Sequence, residues 1–297
     1  MASDPRALEF ECGGLRLRGL AWSGTGLPTL LVHATSFCAA TWRPVWEAAQ
    51  AAGWLGPAVA FDQRGHGGSD APKDAASYGW ERLADDVSAV ADALRDQSGS
   101  QQILLAGHSS GATCALAVAG RQPDHVAGLI LVEPVLYDPP GETGADSFAG
   151  SRVLAERTRQ RRWQFPDRAA ARAKLADRFP YSRFAPESLA AFLEGGLVEL
   201  AGESDSTRLC CEPEREAWVY EGADGFDVWP WVEKVRAPVL LIVGEHSAVP
   251  DALRRRLLER VANSRVETVP GASHFAALEA PRAVGEQLAR FAATCAA

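Results

Sequence analysis

The chain has 297 residues, of which 47% are hydrophobic and 23% charged, and its formal net charge is −8. Those proportions exclude a disordered or fibrous protein, and a chain of this length buries roughly three quarters of its unfolded surface without needing disulfides. The acidic balance argues against nucleic acid or an anionic membrane as partner, since both select a basic face.

No segment approaches the ~18 unbroken apolar residues of a membrane span. The opening Met1-Ala2-Ser3-Asp4-Pro5-Arg6 lacks a basic stretch followed by an apolar run, so no secretory signal is expected. The six cysteines, at 12, 38, 114, 210, 211 and 295, show neither C-x-x-C nor paired Cys/His spacing. That favours reduced thiols in a cytoplasmic protein over a disulfide framework or a zinc site. The vicinal Cys210 and Cys211 are expected to serve packing.

Leu8 to Cys12 and Leu15 to Trp22 predict an opening hairpin around Gly13-Gly14. Thr29 to His33 reads as a buried strand, followed by a helix near 41–52. Ala58 to Asp62 is the next strand and runs into the turn Arg64-Gly-His-Gly-Gly68. Between Tyr78 and Gln97, Leu83, Val87, Val90 and Leu94 recur at the spacing of an amphipathic helix. Gln102 to Ala106 is a strand, Ala112 to Gly120 a small-residue helix, and Val126 to Val132 a strand covered on both faces. Such alternation is that of a parallel α/β protein.

At Asp138-Pro139-Pro140-Gly141 the alternation stops. Residues 138–235 show helical patterns and no convincing buried strand, and they predict a helical cap. Alternation resumes with a strand over 238–243, a helix over 251–261, a strand over 265–269 and a last helix from Pro281. The core is therefore expected over 1–137 and 236–297.

The strongest chemical signal is Gly107-His108-Ser109-Ser110-Gly111, a G-x-S-x-G turn between a strand and a helix. Small flanking residues permit a sharp turn that projects the Ser109 hydroxyl, and the helix that follows aims backbone N–H groups at an oxyanion. A serine nucleophile needs a base, and six histidines occur. His274 lies in the loop after the last strand, at the sheet end where open α/β sheets bind ligands. His125 precedes a strand at the opposite end and reads as structural.

These segments, with His33-Ala-Thr35, Asp62-Gln-Arg-Gly-His-Gly-Gly-Ser-Asp70, Val243-Gly-Glu-His-Ser-Ala-Val-Pro250 and Gly271-Ala-Ser-His274, resemble the α/β-hydrolase superfamily over essentially the whole chain. The resemblance implies an α/β-hydrolase fold with a helical cap and a Ser109–His274 pair. It also implies an oxyanion hole from the backbone N–H groups of Ser110 and Thr35, with the Ser110 side chain mattering less. The family's His-Gly here reads His33-Ala34, which adds a Cβ where φ > 0 would favour glycine. His33 and the Asp62–Arg64–His66 turn are expected to order loops rather than react.

The acid departs from the common pattern. Family members often carry aspartate after the seventh core strand, where Ser247 stands here. Glu133, closing the sixth strand, is the preferred candidate, as in haloalkane dehalogenases and zearalenone-type lactonases; Glu245 and Asp251 are the alternatives. Epoxide hydrolases and dehalogenases of this fold use aspartate at the elbow, which Ser109 argues against.

The expected activity is acyl-enzyme hydrolysis of a carboxylic ester or lactone of an apolar or aromatic small molecule, with no cofactor and no metal. A C–C bond hydrolase, a non-catalytic ligand receptor, and a cofactor-free oxygenase or lyase are the competing readings. In the cap, Trp163 and Trp218 are candidates to line an apolar pocket. Trp229 and Trp231 are expected to hold the lid to the core. The basic run Arg157 to Arg162 reads first as a solvated helix face and second as a clamp for an acidic substrate. Dimerisation through the cap is left open.

Overall fold

The computed structural model describes residues 4–138, 148–200 and 206–296. Strands β1 (Arg6–Cys12) and β2 (Leu15–Trp22) form the opening hairpin, turning at Gly13 and Gly14 with φ of 57° and 83°. Only glycine enters that left-handed region without cost. There follow β3 (Thr29–Val32), α1 (Arg43–Ala51), β4 (Ala58–Phe61), α2 (Trp80–Ser98), β5 (Ile103–His108), α3 (Ser110–Arg121) and β6 (Val126–Val132). The predicted helix near 41–52 is α1 preceded by a 3-10 turn, Ala39–Trp42. Pro44 sits in its first turn, where a missing N–H costs nothing.

The segment expected as a cap holds α4 (Ala149–Arg159), β7 (Gln164–Phe165), α5 (Arg168–Ala176), α6 (Pro186–Gly195), β8 (Leu197–Glu199), β9 (Thr207–Leu209), α7 (Pro213–Glu221) and α8 (Trp229–Val232). The expectation of an all-helical block needs correcting, because β7, β9 and β8 pair in that order as a small antiparallel sheet. Strands of two or three residues are too short to show a period of two. The predicted break at Pro139–Gly141 lies outside the described residues. Trp229 donates from Nε1 to the Tyr137 carbonyl at 2.8 Å, and Gly120 packs directly against the Trp231 backbone. Both tryptophans thus tie the returning chain to the core.

The chain finishes with β10 (Val239–His246), α9 (Asp251–Arg260), β11 (Ser264–Ser273), α10 (Ala276–Glu279) and α11 (Pro281–Cys295). The main sheet has the order β1-β2-β4-β3-β5-β6-β10-β11. Its first two pairs, β1·β2 and β2·β4, are antiparallel, and every pair from β4 to β11 is parallel. This is the α/β-hydrolase architecture the resemblance implied.

Successive residues of each central strand feed opposite layers. Leu30, Val32 and Leu105 pack toward α2 and α3, whereas Leu31, Ala106 and Ile130 pack toward α1 and α11. A third cluster, centred on Phe37, Cys38, Phe184 and Phe192, joins the cap to the loop after β3. Because β3, β5, β6, β10 and β11 are parallel, their carboxyl ends all face the same cleft. All six cysteines are free thiols, and among the described residues no helix is long and apolar enough to cross a membrane.

Candidate active site

Ser109 occupies the turn between β5 and α3 with φ 56° and ψ −122°. A non-glycine residue there costs about 1–3 kcal/mol, which the surroundings must offset. The Ser109 amide donates to the Val132 carbonyl at 2.9 Å, and its carbonyl accepts from the amides of Ala112 and Thr113. The flanking glycines are sterically required. A Cβ at Gly107 would sit 2.4 Å from the Gly111 carbonyl oxygen, and one at Gly111 would sit 2.4 Å from that of His33. The G-x-S-x-G spacing is thus a record of two close backbone approaches.

His274 follows β11, and its Nε2 lies 2.9 Å from Ser109 Oγ. Two devices hold its loop. His108 Nε2 bonds the His274 carbonyl at 2.8 Å, a role that requires the tautomer protonated there. Burial, with the His274 ring beside it, lowers the His108 pKa to about 4, so the ring stays neutral and keeps that role. From the cap, Arg183 pairs with Glu279 at 2.6 Å and donates to the Gly271 carbonyl at 2.8 Å, while Glu279 accepts from the Ser273 amide and hydroxyl. Sequence reasoning missed His108 and Glu279; His108 was signalled only by its place beside Ser109.

Glu133 lies just beyond β6 and is fully buried, with φ 47°. Its Oε1 accepts from the Gly244 amide at 2.7 Å, and its Oε2 accepts from Ser247 Oγ at 2.9 Å. The same Oε2 stands 3.4 Å from His274 Nδ1, an atom with no hydrogen bond of good geometry. That is a long contact for a hydrogen bond. Burial alone would raise the Glu133 carboxyl, but the nearby His274 ring and the bonds from Gly244 and Ser247 hold it below its ordinary value. Ser247, where relatives often place the acid, here donates to it. Glu245 instead accepts from the Gly271 amide at 2.8 Å, and Asp251 is an exposed partner of Arg254.

On the other side of Ser109, the Thr35 amide donates to Ser110 Oγ at 3.0 Å, and the two hydroxyls lie 2.9 Å apart. The Ser110 side chain, expected to matter less than its amide, therefore bridges the elbow to the loop after β3. Positive φ in that loop falls on Ser36 (81°), so Ala34 is not the strained position. Among the described residues the non-glycine residues at positive φ are Ser36, Ser109 and Glu133, all at this cleft.

Behind the loop, His33 Nε2 accepts from the Gln63 amide at 3.0 Å, and His66 Nε2 accepts from the Ser36 amide at 3.2 Å. Burial lowers the pKa of these rings to about 3 and about 4, so both act as neutral acceptors. Asp62 accepts from the Ala39 and Gly68 amides at 2.7 and 2.9 Å, and a Cβ on Gly67 would collide with its carboxyl. His125 lies against Arg95, away from the cleft.

A cavity of about 880 Å³ opens over Ser109 and His274. Phe37, Trp80, Tyr137, Tyr181 and Phe275 contribute aromatic walls, and Leu154 and Phe179 are exposed at its edge. Trp163 and Trp218, expected to line such a pocket, do not. Trp163 lies beneath Arg208, and Trp218 packs on Tyr78. Their helical or loop position alone could not say which way the rings face.

The family model described as "Alpha/beta hydrolase family" matches residues 29–287. A 2-(acetamidomethylene)succinate hydrolase of Mesorhizobium japonicum is 31% identical over 225 residues, 73% of this chain and 71% of that protein. The sn-1-specific diacylglycerol lipase ABHD11 of Mus musculus is 26% identical over 226 residues, 75% and 67% of the two chains. A crystal structure of E-2-(acetamidomethylene)succinate hydrolase superposes with a TM-score of 0.79 at 24% identity, over 97% of this chain and 99% of that one. The match over residues 29–287, carried by a parallel sheet with a serine elbow, makes the chain a member of the alpha/beta hydrolase family.

Proposed function

We propose that the protein is a serine hydrolase that cleaves a carboxylic ester or lactone of an apolar or aromatic small molecule through an acyl-enzyme on Ser109. The observation that carries this reading is the 2.9 Å contact between Ser109 Oγ and His274 Nε2 at the floor of an aromatic-walled cavity. As Oγ attacks the carbonyl carbon, Nε2 takes its proton; the imidazolium then returns that proton to the leaving alkoxide. Water repeats the sequence on the acyl-enzyme and releases the acid. Glu133 holds the His274 tautomer and stabilises the imidazolium.

The N–H groups of Ser110 and Thr35 stabilise the oxyanion, which requires the Thr35 amide to exchange the Ser110 hydroxyl for substrate oxygen. Ser110 is then a positioning residue through its side chain. Ser110→Ala is expected to lower kcat about tenfold with little change in KM, less than the ~10²–10³ lost with a whole oxyanion donor. A change confined to KM would remove that role.

The decisive test is intact mass after treatment with a fluorophosphonate. One adduct, mapped to Ser109 and absent from Ser109→Ala, is the expected result. No adduct under conditions that label a control esterase would overturn the reading. A second reading, hydrolysis of a bond other than an ester, is favoured by the similarity to the 2-(acetamidomethylene)succinate hydrolase of Mesorhizobium japonicum. Labelling of Ser109 without turnover across an ester and lactone panel would select it.

A further inference from the structure

The basic run of the cap is divided by the structure into two sets. Ser151, Leu154, Arg157, Thr158 and Arg161 recur at helical spacing and all line the cavity, so one face of α4 and its continuation forms a wall. Arg159 falls on another face, where Glu156, Glu214 and Glu221 hold it. Arg178, after α5, joins the cavity wall from a second element.

Four arginines therefore border the cavity, against a single described carboxylate, Glu216. That carboxylate is already committed: it is buried, it pairs with Arg161, and it accepts from Ser36 Oγ at 2.6 Å. Arg162 is also engaged, donating to the Gln164 carbonyl at 3.0 Å and stacking on Phe165. Arg157 and Arg178 have no acidic partner among the described residues, although this chain carries 38 acidic residues against 30 basic. Two guanidiniums with no acidic partner among the described residues, both facing one cavity, make that mouth locally attractive to anions. Their planar forks match the two oxygens of a carboxylate.

We propose that Arg157 and Arg178 bind a carboxylate carried by the substrate, so that the molecule presented to Ser109 is anionic. The inference deepens the hydrolase reading and rests on it for the reacting bond, but not for the anion subsite. The aromatic walls then hold the apolar body of the substrate, and the arginines set which end enters first.

Two measurements separate the subsite from the chemistry. In the first, adipate serves as the probe and its binding is followed by calorimetry. Arg157→Gln and Arg178→Gln are each expected to weaken it about tenfold, the scale of one charge-assisted contact. Arg172→Gln, on an exposed arginine of α5 outside the cavity, is expected to leave it unchanged. Absence of saturable adipate binding at millimolar concentration, or equal binding by all variants, overturns the proposal.

In the second, kcat/KM is compared for the 4-nitrophenyl monoester of adipic acid and for 4-nitrophenyl hexanoate, which differ by one terminal carboxylate. The anionic ester is expected to be preferred about tenfold at low salt, with the preference shrinking at high salt and in both arginine variants. Equal turnover of the two esters overturns the subsite while leaving the esterase reading intact. No turnover of either, with variant-sensitive adipate binding, counts against the esterase reading and supports the subsite.

Discussion

Glu133→Gln is expected to lower kcat by about 10³–10⁴, the scale on which a neutral amide fails to hold the tautomer and charge of a catalytic histidine. The carboxylate oxygen that faces His274 Nδ1 is also bonded by Ser247. An amide there keeps the shape and the Gly244 contact but can no longer balance an imidazolium. Asp251→Asn and Glu245→Gln should leave kcat essentially unchanged, because both carboxylates are engaged elsewhere. Steady-state rates on any ester that the enzyme turns over decide the matter, and a loss confined to Asp251→Asn would transfer the role.

The same residue gives a signal independent of turnover. The folded pKa of Glu133 lies below its ordinary value of 4.5. Its contribution to stability is therefore fully present above that value and is lost as the pH falls through the folded pKa. Denaturant unfolding should show the stability difference between wild type and Glu133→Gln narrowing as the pH is lowered below 4.5. A difference constant with pH would mean that the carboxylate is not held in its charged form.

Arg64→Leu is expected to cost about 3–5 kcal/mol of stability, the usual penalty for stranding one member of a buried ion pair. Arg64 meets Asp86 on α2 through two bonds, 2.7 Å from Nε and 2.6 Å from NH2, with side chains only 10% and 3% exposed. Burial pushes the Asp86 carboxyl upward, and Arg64 opposes that shift. Without the arginine the charge remains in place and uncompensated. Removing both charges, as Arg64→Leu with Asp86→Leu, should recover most of the loss, because burying the pair is itself expensive. Chemical denaturation compares the two; a double variant no more stable than the single would refute the account. The pair also braces the turn whose His66 accepts from the Ser36 amide, so the single variant should loosen the loop that carries Thr35.

Much of this molecule was legible locally. The strand-turn-helix around Ser109 could be read from five residues because two close backbone approaches demand glycine at 107 and 111. The face of α2 that carries Leu83, Val87, Val90 and Leu94 is buried at the period a helix imposes. Continuous apolar runs gave the covered strands β3, β4 and β5 for the same kind of reason.

What stayed out of reach depends on residues far apart in the chain. Three acids were candidates to face His274, and the choice follows from β6 lying between β5 and β10, which brings residues 109, 133 and 247 to one sheet end. The cap strands were invisible because two or three residues carry no period, and Trp163 and Trp218 turned away from a cavity that composition alone had suggested they line. Within Arg157 to Arg162 the charges are alike, yet helical rotation sends Arg159 to Glu214 and Glu221 and leaves Arg157 facing the cavity. Periodicity and steric demand act between neighbours in sequence, so a single chain displays them. Partner choice across more than a hundred residues is set by which strands adjoin and which faces meet, and that exists only once the chain has packed.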